Sequence, residues 1–393
     1  MVLKIYNTMS RKKEAFKPIR GNIVSIYWCG QTVYDSTHLG HARTYIVGDT
    51  IKRYLKFKGY DVLYIENITD VDDKIINKAK DLGITEKEVA EKYTKELEEV
   101  MDRLNIHVDF RPKATEHVPE MIKIVSKLIE KGHAYKISDG VYFDITSFPK
   151  YGALSRQKLE DLKKHRTEPN PEKRSPGDFA LWKKQKSGEP AWNSPWGEGR
   201  PGWHIECTAM STRYLGESID IHGGGSDLIF PHHENEIAQS EAYSGKKFVN
   251  FWVHVGLLQV KGEKMAKSLK NFVPSEVALE KWDPEAIRLY MLSTHYRKPF
   301  DFNGDDLNAA SKALDRLRNI LNSLAGINRV GGKLTKNEKD LKKSAGLLRK
   351  QFEKAMDDDF NTPVALTALY IFANKVNEFV TKNTSINRNL ADL

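Results

Sequence analysis

The chain has 393 residues, more than one ordinary hydrophobic core accommodates, so two or three domains are expected. Its hydrophobic fraction of 40% and charged fraction of 29% fit a globular protein and exclude long disorder, and no apolar run reaches membrane-span length. The net charge of +9 favours a polyanionic partner. The N-terminal stretch MVLKIYNTMSRKKEAFKPIRG lacks the apolar core of a secretory signal. Two cysteines 178 positions apart make no disulfide framework, and together these features point to a cytoplasmic protein with reduced thiols.

In chain order, Ile23 to Trp28 reads as a buried strand that stops at Cys29-Gly30. His41 to Phe57 has helical spacing, and Asp61 to Ile65 reads as a second strand. Asp70 to Lys80, Glu86 to Leu104 and Pro112 to Lys131 read as helices, and Ala134 to Asp144 as a hairpin. Lys150 to Pro201 reads as an irregular, basic insertion. Strands at Ser218 to His222 and Phe248 to Val255 then flank a helix at Glu234 to Ala242. Past Pro274 the chain is mostly helical, with apolar stripes in Pro284 to Leu292, Asp305 to Leu324, Lys336 to Ala355 and Pro363 to Val380. The strand–helix–strand alternation predicts an α/β fold. The expected architecture is a Rossmann-like parallel-sheet catalytic domain split by an insertion and followed by a helical bundle.

Three stretches carry chemistry. His38-Leu39-Gly40-His41 follows a strand and opens a helix, where free N–H groups and the dipole attract phosphate, and Gly40 permits close approach. The bland alternative is two partly exposed histidines at a helix start. Lys264-Met265-Ala266-Lys267-Ser268 puts two lysines on a short loop, able to hold a triphosphate; a solvated surface loop is the alternative. Cys29, Cys207, His232 and Glu236 offer a Cys₂-His-Glu zinc set, with His232 and Glu236 one helical turn apart; buried reduced thiols are the alternative. Asp72 and Asp73 read as helix-start charge in preference to a magnesium pair.

The paired motifs HLGH and KMAKS resemble the HIGH and KMSKS signatures of class I aminoacyl-tRNA synthetases. Leu39 replaces Ile, and Ala266 replaces the central Ser while leaving both lysines. With CGQTVYDSTHLGHART, NITDVDDKI, GWHIECTAM, DIHGGGSDLIFPHHENEIAQSE and KMAKSLKNF in order, residues 29 to 273 resemble the cysteinyl-tRNA synthetase family.

The resemblance implies that Cys29, Cys207, His232 and Glu236 bind zinc, which takes the thiolate of the substrate cysteine. It implies that Thr69 and Trp203 line the amino-acid pocket, although Trp203 alone could be a core aromatic. Gly224 and Asp227 would meet the adenosine of ATP and His254 would lie near the adenine. His38, His41, Lys264 and Lys267 would stabilise the triphosphate and the departing pyrophosphate. The implied partners are L-cysteine, ATP with Mg²⁺, and tRNA(Cys). No membrane partner is expected, and a monomer is expected rather than an oligomer.

The expected divisions are 1–111 and 201–256 for the two catalytic halves, 112–200 for the connecting insertion, 257–304 for the KMSKS-type loop and stem-contact region, and 305–393 for a tRNA-binding bundle. Basic excess between Lys150 and Lys186, eleven against five, and between Lys333 and Lys354, eight against three, suits tRNA; solvated faces are the alternative. Family members usually continue past the bundle into an anticodon-reading module, so a truncated or short form is expected. That shortness keeps open a cysteine-dependent amino-sugar ligase of mycothiol synthesis. A noncatalytic zinc-stabilised RNA-binding protein is the rival from another class.

Overall fold

In the computed structural model, residues 2–158, 170–265 and 271–391 are described. Two units emerge. One comprises Tyr6–Lys12 and Lys17–Leu257; the other comprises Met1–Ile5, Lys13–Phe16 and Leu258–Leu393.

The first unit is organised by the β-branched and aromatic run Ile23–Trp28. It pairs in parallel with Asp61–Glu66 on one side and Ile219–Gly225 on the other, and Val249–Val255 completes the sheet beyond Ile219–Gly225. The chain steps outward from Ile23–Trp28 to Asp61–Glu66, then returns to the opposite side. The strand order therefore reverses between Ile23–Trp28 and Ile219–Gly225, and open parallel sheets bind ligands outside the carboxyl ends at such a point. Two glycines permit the close packing there. A Cβ on Gly223 would lie 2.2 Å from the Trp28 ring, and one on Gly30 would lie 1.7 Å from the Asn67 carbonyl oxygen. Ile26, Leu39 and Tyr64 are nearly fully buried against this sheet. Burial of an aliphatic side chain of this size contributes about 1.5–3 kcal/mol.

Helices cover the sheet. Leu39–Phe57 begins two residues earlier than its apolar spacing suggests, because the His38 side chain caps it. Asp73–Leu82 is capped by Asp72, and Glu86–Arg103 by the reciprocal Thr85/Glu88 pair. The expected helix from Pro112 is a 3₁₀ turn, Ala114–His117, running into Val118–Glu130.

The stretch read as irregular, Lys150 to Pro201, contains strands. Phe179–Lys184 and Gly199–Pro201 join the hairpin of Ala134–Ile137 and Gly140–Phe143 in a four-stranded antiparallel sheet. The helix Trp203–Leu215 follows where no helix was expected.

In the second unit, Leu258–Val260 lies between Glu263–Lys264 and Phe300–Asp301. The helices Gly304–Gly326, Lys336–Met356 and Thr362–Lys382 then bury Ile320, Ala373 and Val376 together. Of the N-terminal residues, all expected within the catalytic half, Met1–Ile5 and Lys13–Phe16 group with this unit and Tyr6–Lys12 with the sheet unit. The Lys4 amide donates to the Asp357 carbonyl at 2.8 Å, and the Asp359 amide donates back to the Lys4 carbonyl at 2.9 Å.

Candidate metal and adenylation site

At the reversal point the Cys29 amide donates to the Gly223 carbonyl at 3.0 Å, which fixes Cys29 at the carboxyl end of the central strand. Cys207 comes from the helix Trp203–Leu215, and His232 and His233 from the single wide turn Ile229–His233. Glu236 lies in the first turn of Glu234–Ser244. One ligand atom from each of Cys29, Cys207, His232 and Glu236 lies within 4.8 Å of the others, and all four residues are buried.

Individual distances describe the cluster. The sulfurs are 3.9 Å apart, and Cys29 Sγ lies 3.8 Å from Glu236 Oε1. His232 Nε2 is 3.0 Å from the same oxygen. Glu236 Oε2 turns the other way, to His222 Nε2 at 2.8 Å. His232 Nδ1 is 3.0 Å from His204 Nδ1. Each imidazole or carboxylate donor is thus oriented by a buried partner behind it, the arrangement that fixes metal ligands.

Burial opposes charge on every member, and pairing overcomes it selectively. His222 and His232 hold the Glu236 carboxyl at about 2. Glu236 and Cys207 lift His232 to about 10. The hydrogen bond from Cys29 and, against the opposing charge of Glu236, the His232 imidazolium bring Cys207 to about 6. The Cys29 thiol is pushed well up, first by burial and then by Cys207. Near neutral pH the cluster therefore holds a carboxylate, a thiolate, an imidazolium and a thiol, one negative charge in excess. A divalent cation that displaces the two remaining protons fits this donor set, and borderline-soft zinc suits two sulfurs, one nitrogen and one oxygen.

The amino-acid-pocket candidates adjoin the cluster. The Trp203 ring lies 4.2 Å from the His232 ring, centre to centre. Thr69 donates to Glu206 Oε2 at 2.8 Å and accepts from Asn67 Nδ2 at 3.3 Å. Cys207 Sγ lies 3.7 Å from Asn67 Oδ1.

Sequence reasoning gave no place in this cluster to Asn67, His204, Glu206, His222 or His233. His233 is the telling case: its Nε2 is 3.2 Å from the Cys29 sulfur, and Cys29, His222, His233 and Glu236 form a second convergent donor group. Adjacent histidines in HHENE were the available signal, but spacing does not say that both turn inward.

Two of the phosphate candidates, His38 and His41, lie at the start of the helix Leu39–Phe57, His38 as its cap. His38 and His41 stack with ring centres 3.7 Å apart, each Nδ1 accepting from the other's backbone amide at 3.3 and 3.5 Å. Gly40 is the second residue of that helix. Gly224 is the penultimate residue of the strand Ile219–Gly225, and Asp227 is exposed in the turn Ser226–Leu228. His254 is buried, with Nε2 2.8 Å from His233 Nδ1 and Nδ1 2.8 Å from the Thr8 hydroxyl. Burial, with His222 beside it, takes His254 down to about 3, so it is a neutral link in this chain of polar groups. Lys264 lies in the strand Glu263–Lys264, whereas Ala266 and Lys267 lie outside the described residues. Asp72 caps its helix and Asp73 pairs with Lys183 and Arg200, consistent with helix-start charge.

A sheet that reverses its order beside a histidine-capped helix and a sulfur-containing donor cluster defines a class of protein. The sequence model described as tRNA synthetases class I (C) catalytic domain matches residues 15–312, and the DALR domain matches residues 351–393. The fold is similar to that of Mycobacterium tuberculosis methionyl-tRNA synthetase in complex with methionyl-adenylate, with a TM-score of 0.72 over 92% of this chain and 84% of that one, at 16% identity. The class is the class I aminoacyl-tRNA synthetases.

Within it, the chain is 54% identical over 387 residues to the cysteine–tRNA ligase of Thermococcus kodakarensis, covering 97% of this chain and 81% of that protein. It is 49% identical over 396 residues to that of Thermodesulfovibrio yellowstonii, covering 99% and 81%. The chain belongs to the cysteine–tRNA ligase family.

Proposed function

We propose that this chain joins L-cysteine to tRNA(Cys) in two steps. The cysteine carboxylate attacks the α-phosphorus of ATP, forming cysteinyl-adenylate and releasing pyrophosphate. The cysteinyl group then passes to the terminal ribose of the tRNA, and AMP leaves. The observation that carries this reading is the convergence of Cys29, Cys207, His232 and Glu236 at the carboxyl edge of the sheet. When bound there, zinc would supply a Lewis-acid position for the substrate sulfur, which a serine hydroxyl fills poorly. Shape alone rejects such an isostere by only about a hundredfold.

The chain's own residues prepare this site. His222 and His204 hold Glu236 and His232 in fixed orientations. Trp203 covers His232, and the Thr69–Glu206 hydrogen bond fixes the neighbouring wall. His38 and His41, at a helix N-terminus, stabilise charge on the triphosphate, which reaches the site with Mg²⁺. Gly224, Asp227 and His254 serve the adenosine end. Lys264 and Lys267 hold the departing pyrophosphate, so Lys267→Ala should slow exchange by about a hundredfold.

The test is cysteine-dependent ATP–pyrophosphate exchange, with serine as competitor, followed by transfer of labelled cysteine to tRNA(Cys). Exchange supported equally by serine would remove the sulfur-selecting role. Transfer to an amino-sugar with none to tRNA would replace the synthetase reading with the ligase.

A further inference from the structure

Away from the donor cluster, the first unit contains a cavity of about 400 Å³ with no role in the reaction above. Its walls come from four segments: the start of the helix Asp73–Leu82, the helix Glu86–Arg103, the turn Ala114–His117, and the loop at Pro190 and Trp192. None of its lining residues is one of the four sulfur, nitrogen or oxygen donors.

The interior is apolar, formed by Val71, Ile75, Ile76, Ala90 and Trp192. Its walls are held by contacts outside it. Arg200 pairs with both Asp73 and Glu189, and Lys183 pairs with Asp73, which ties the antiparallel sheet to the helix Asp73–Leu82. Trp192 exchanges backbone hydrogen bonds with Gly199 at 2.7 and 3.1 Å. The cavity is therefore preformed, and its volume falls in the range of small-molecule sites.

Polar residues on the lining are unequal in sign. Asp70, Asp72, Glu86, Glu91 and Glu116 face only Lys87 and Lys113, so five carboxylates against two ammonium groups leave a formal excess of three negative charges. Lys87 already lies 3.7 Å from Glu91. Asp70 is committed to the Thr115 amide and hydroxyl, and Asp72 to the Lys74 amide. That assigns the ligand-facing charge to Glu86 and Glu116, with Glu91 shared with Lys87.

We propose that this cavity is a binding site for a small amphipathic cation: a flat apolar body seated among Ile75, Ile76, Ala90 and Trp192, with an amine at the acidic rim. Apolar walls drive burial of the body. The excess negative charge selects a cation over a neutral or anionic analogue of the same shape.

The test uses the full-length chain and three probes of one shape, 2-(1-naphthyl)ethylamine, 2-(1-naphthyl)ethanol and 1-naphthylacetate, titrated at low salt and followed by calorimetry. The amine should bind at least tenfold more tightly than the carboxylate, with the alcohol between. Glu91→Lys with Glu116→Lys changes the rim from three negative charges to one positive, three carboxylates against four ammonium groups, at surface positions that leave the fold intact. The preference should then reverse. Ala90→Phe, which fills the interior, should weaken all three probes together by at least tenfold. Absence of amine binding at millimolar concentration, equal binding of amine and carboxylate, or a preference unchanged by the double substitution would each overturn the assignment.

Discussion

Each unit buries a cluster of charge, and the two clusters are built on different terms. In the C-terminal unit Asp359 is fully buried, with the Tyr296 hydroxyl at 2.6 Å on one oxygen and Arg297 Nε at 2.7 Å on the other. His295 Nε2 stands 3.6 Å away, and burial keeps that imidazole below its usual range. One negative charge meets one positive charge, and both carboxylate oxygens are used. In the sheet unit, a carboxylate and a thiolate meet one imidazolium, with a second thiol still able to ionise. Burial of charge therefore does not by itself mark a site; an unbalanced set of convergent donors does.

The sharpest way to break this contrast is Cys207→Ser. We expect metal content in freshly purified protein to fall to background and cysteine-dependent exchange to drop by at least 10²–10³-fold, the scale for loss of a preorganised electrostatic group. Full zinc retention in this variant would detach Cys207 from the cluster's role.

Proton competition gives the next effect. At pH 7 to 8 metal binding must expel the protons of Cys29 and His232, so affinity should rise about a hundredfold per pH unit. Below about 6 Cys207 is protonated as well, and the dependence should steepen to three protons. A chelator-competition series across pH measures both slopes, and a pH-independent affinity contradicts the charge assignment. Removing the group behind a ligand should cost less. His222→Gln should weaken metal binding by about 10–100-fold, since it leaves Glu236 in place but differently oriented.

The balanced cluster should respond in stability alone. Asp359→Asn should destabilise the C-terminal unit by about 2 kcal/mol, below the roughly 3–5 kcal/mol of a fully buried pair because the Arg297 side chain is 34% exposed. Its metal content should equal that of the unaltered protein; reduced zinc would show that the contrast is wrong. Ala266→Ser should change exchange by less than about twofold, because the lysines of that loop carry its charge.

The sequence made some features legible and concealed others for physical reasons. Ile23–Trp28 is legible as a short, nearly continuous apolar run because it is an interior strand of the parallel sheet, whereas Glu86–Arg103 follows its helical pattern because it keeps a solvent side. Trp203–Leu215 does not. His204 through Ser211 are all buried, polar and apolar residues alike, so no amphipathic stripe remains to be read. The pairing of Phe179–Lys184 with Gly140–Phe143 spans about forty residues, and chain-local patterns do not reveal it. The four donors were readable because their motifs are distinctive. His222 and His233 were less so, because only the return of Ile219–Gly225 beside Ile23–Trp28 brings them against Cys29.

Both cysteines of the chain lie in the buried donor cluster. A protein that generates an activated acyl phosphate exposes its own nucleophiles to it, and here neither native thiol stands on the surface to be acylated or alkylated. The same placement makes the folded chain a clean labelling scaffold: a cysteine introduced at an exposed position such as Leu321 would be the thiol that a maleimide dye reaches first, leaving the pair inside untouched until the fold opens.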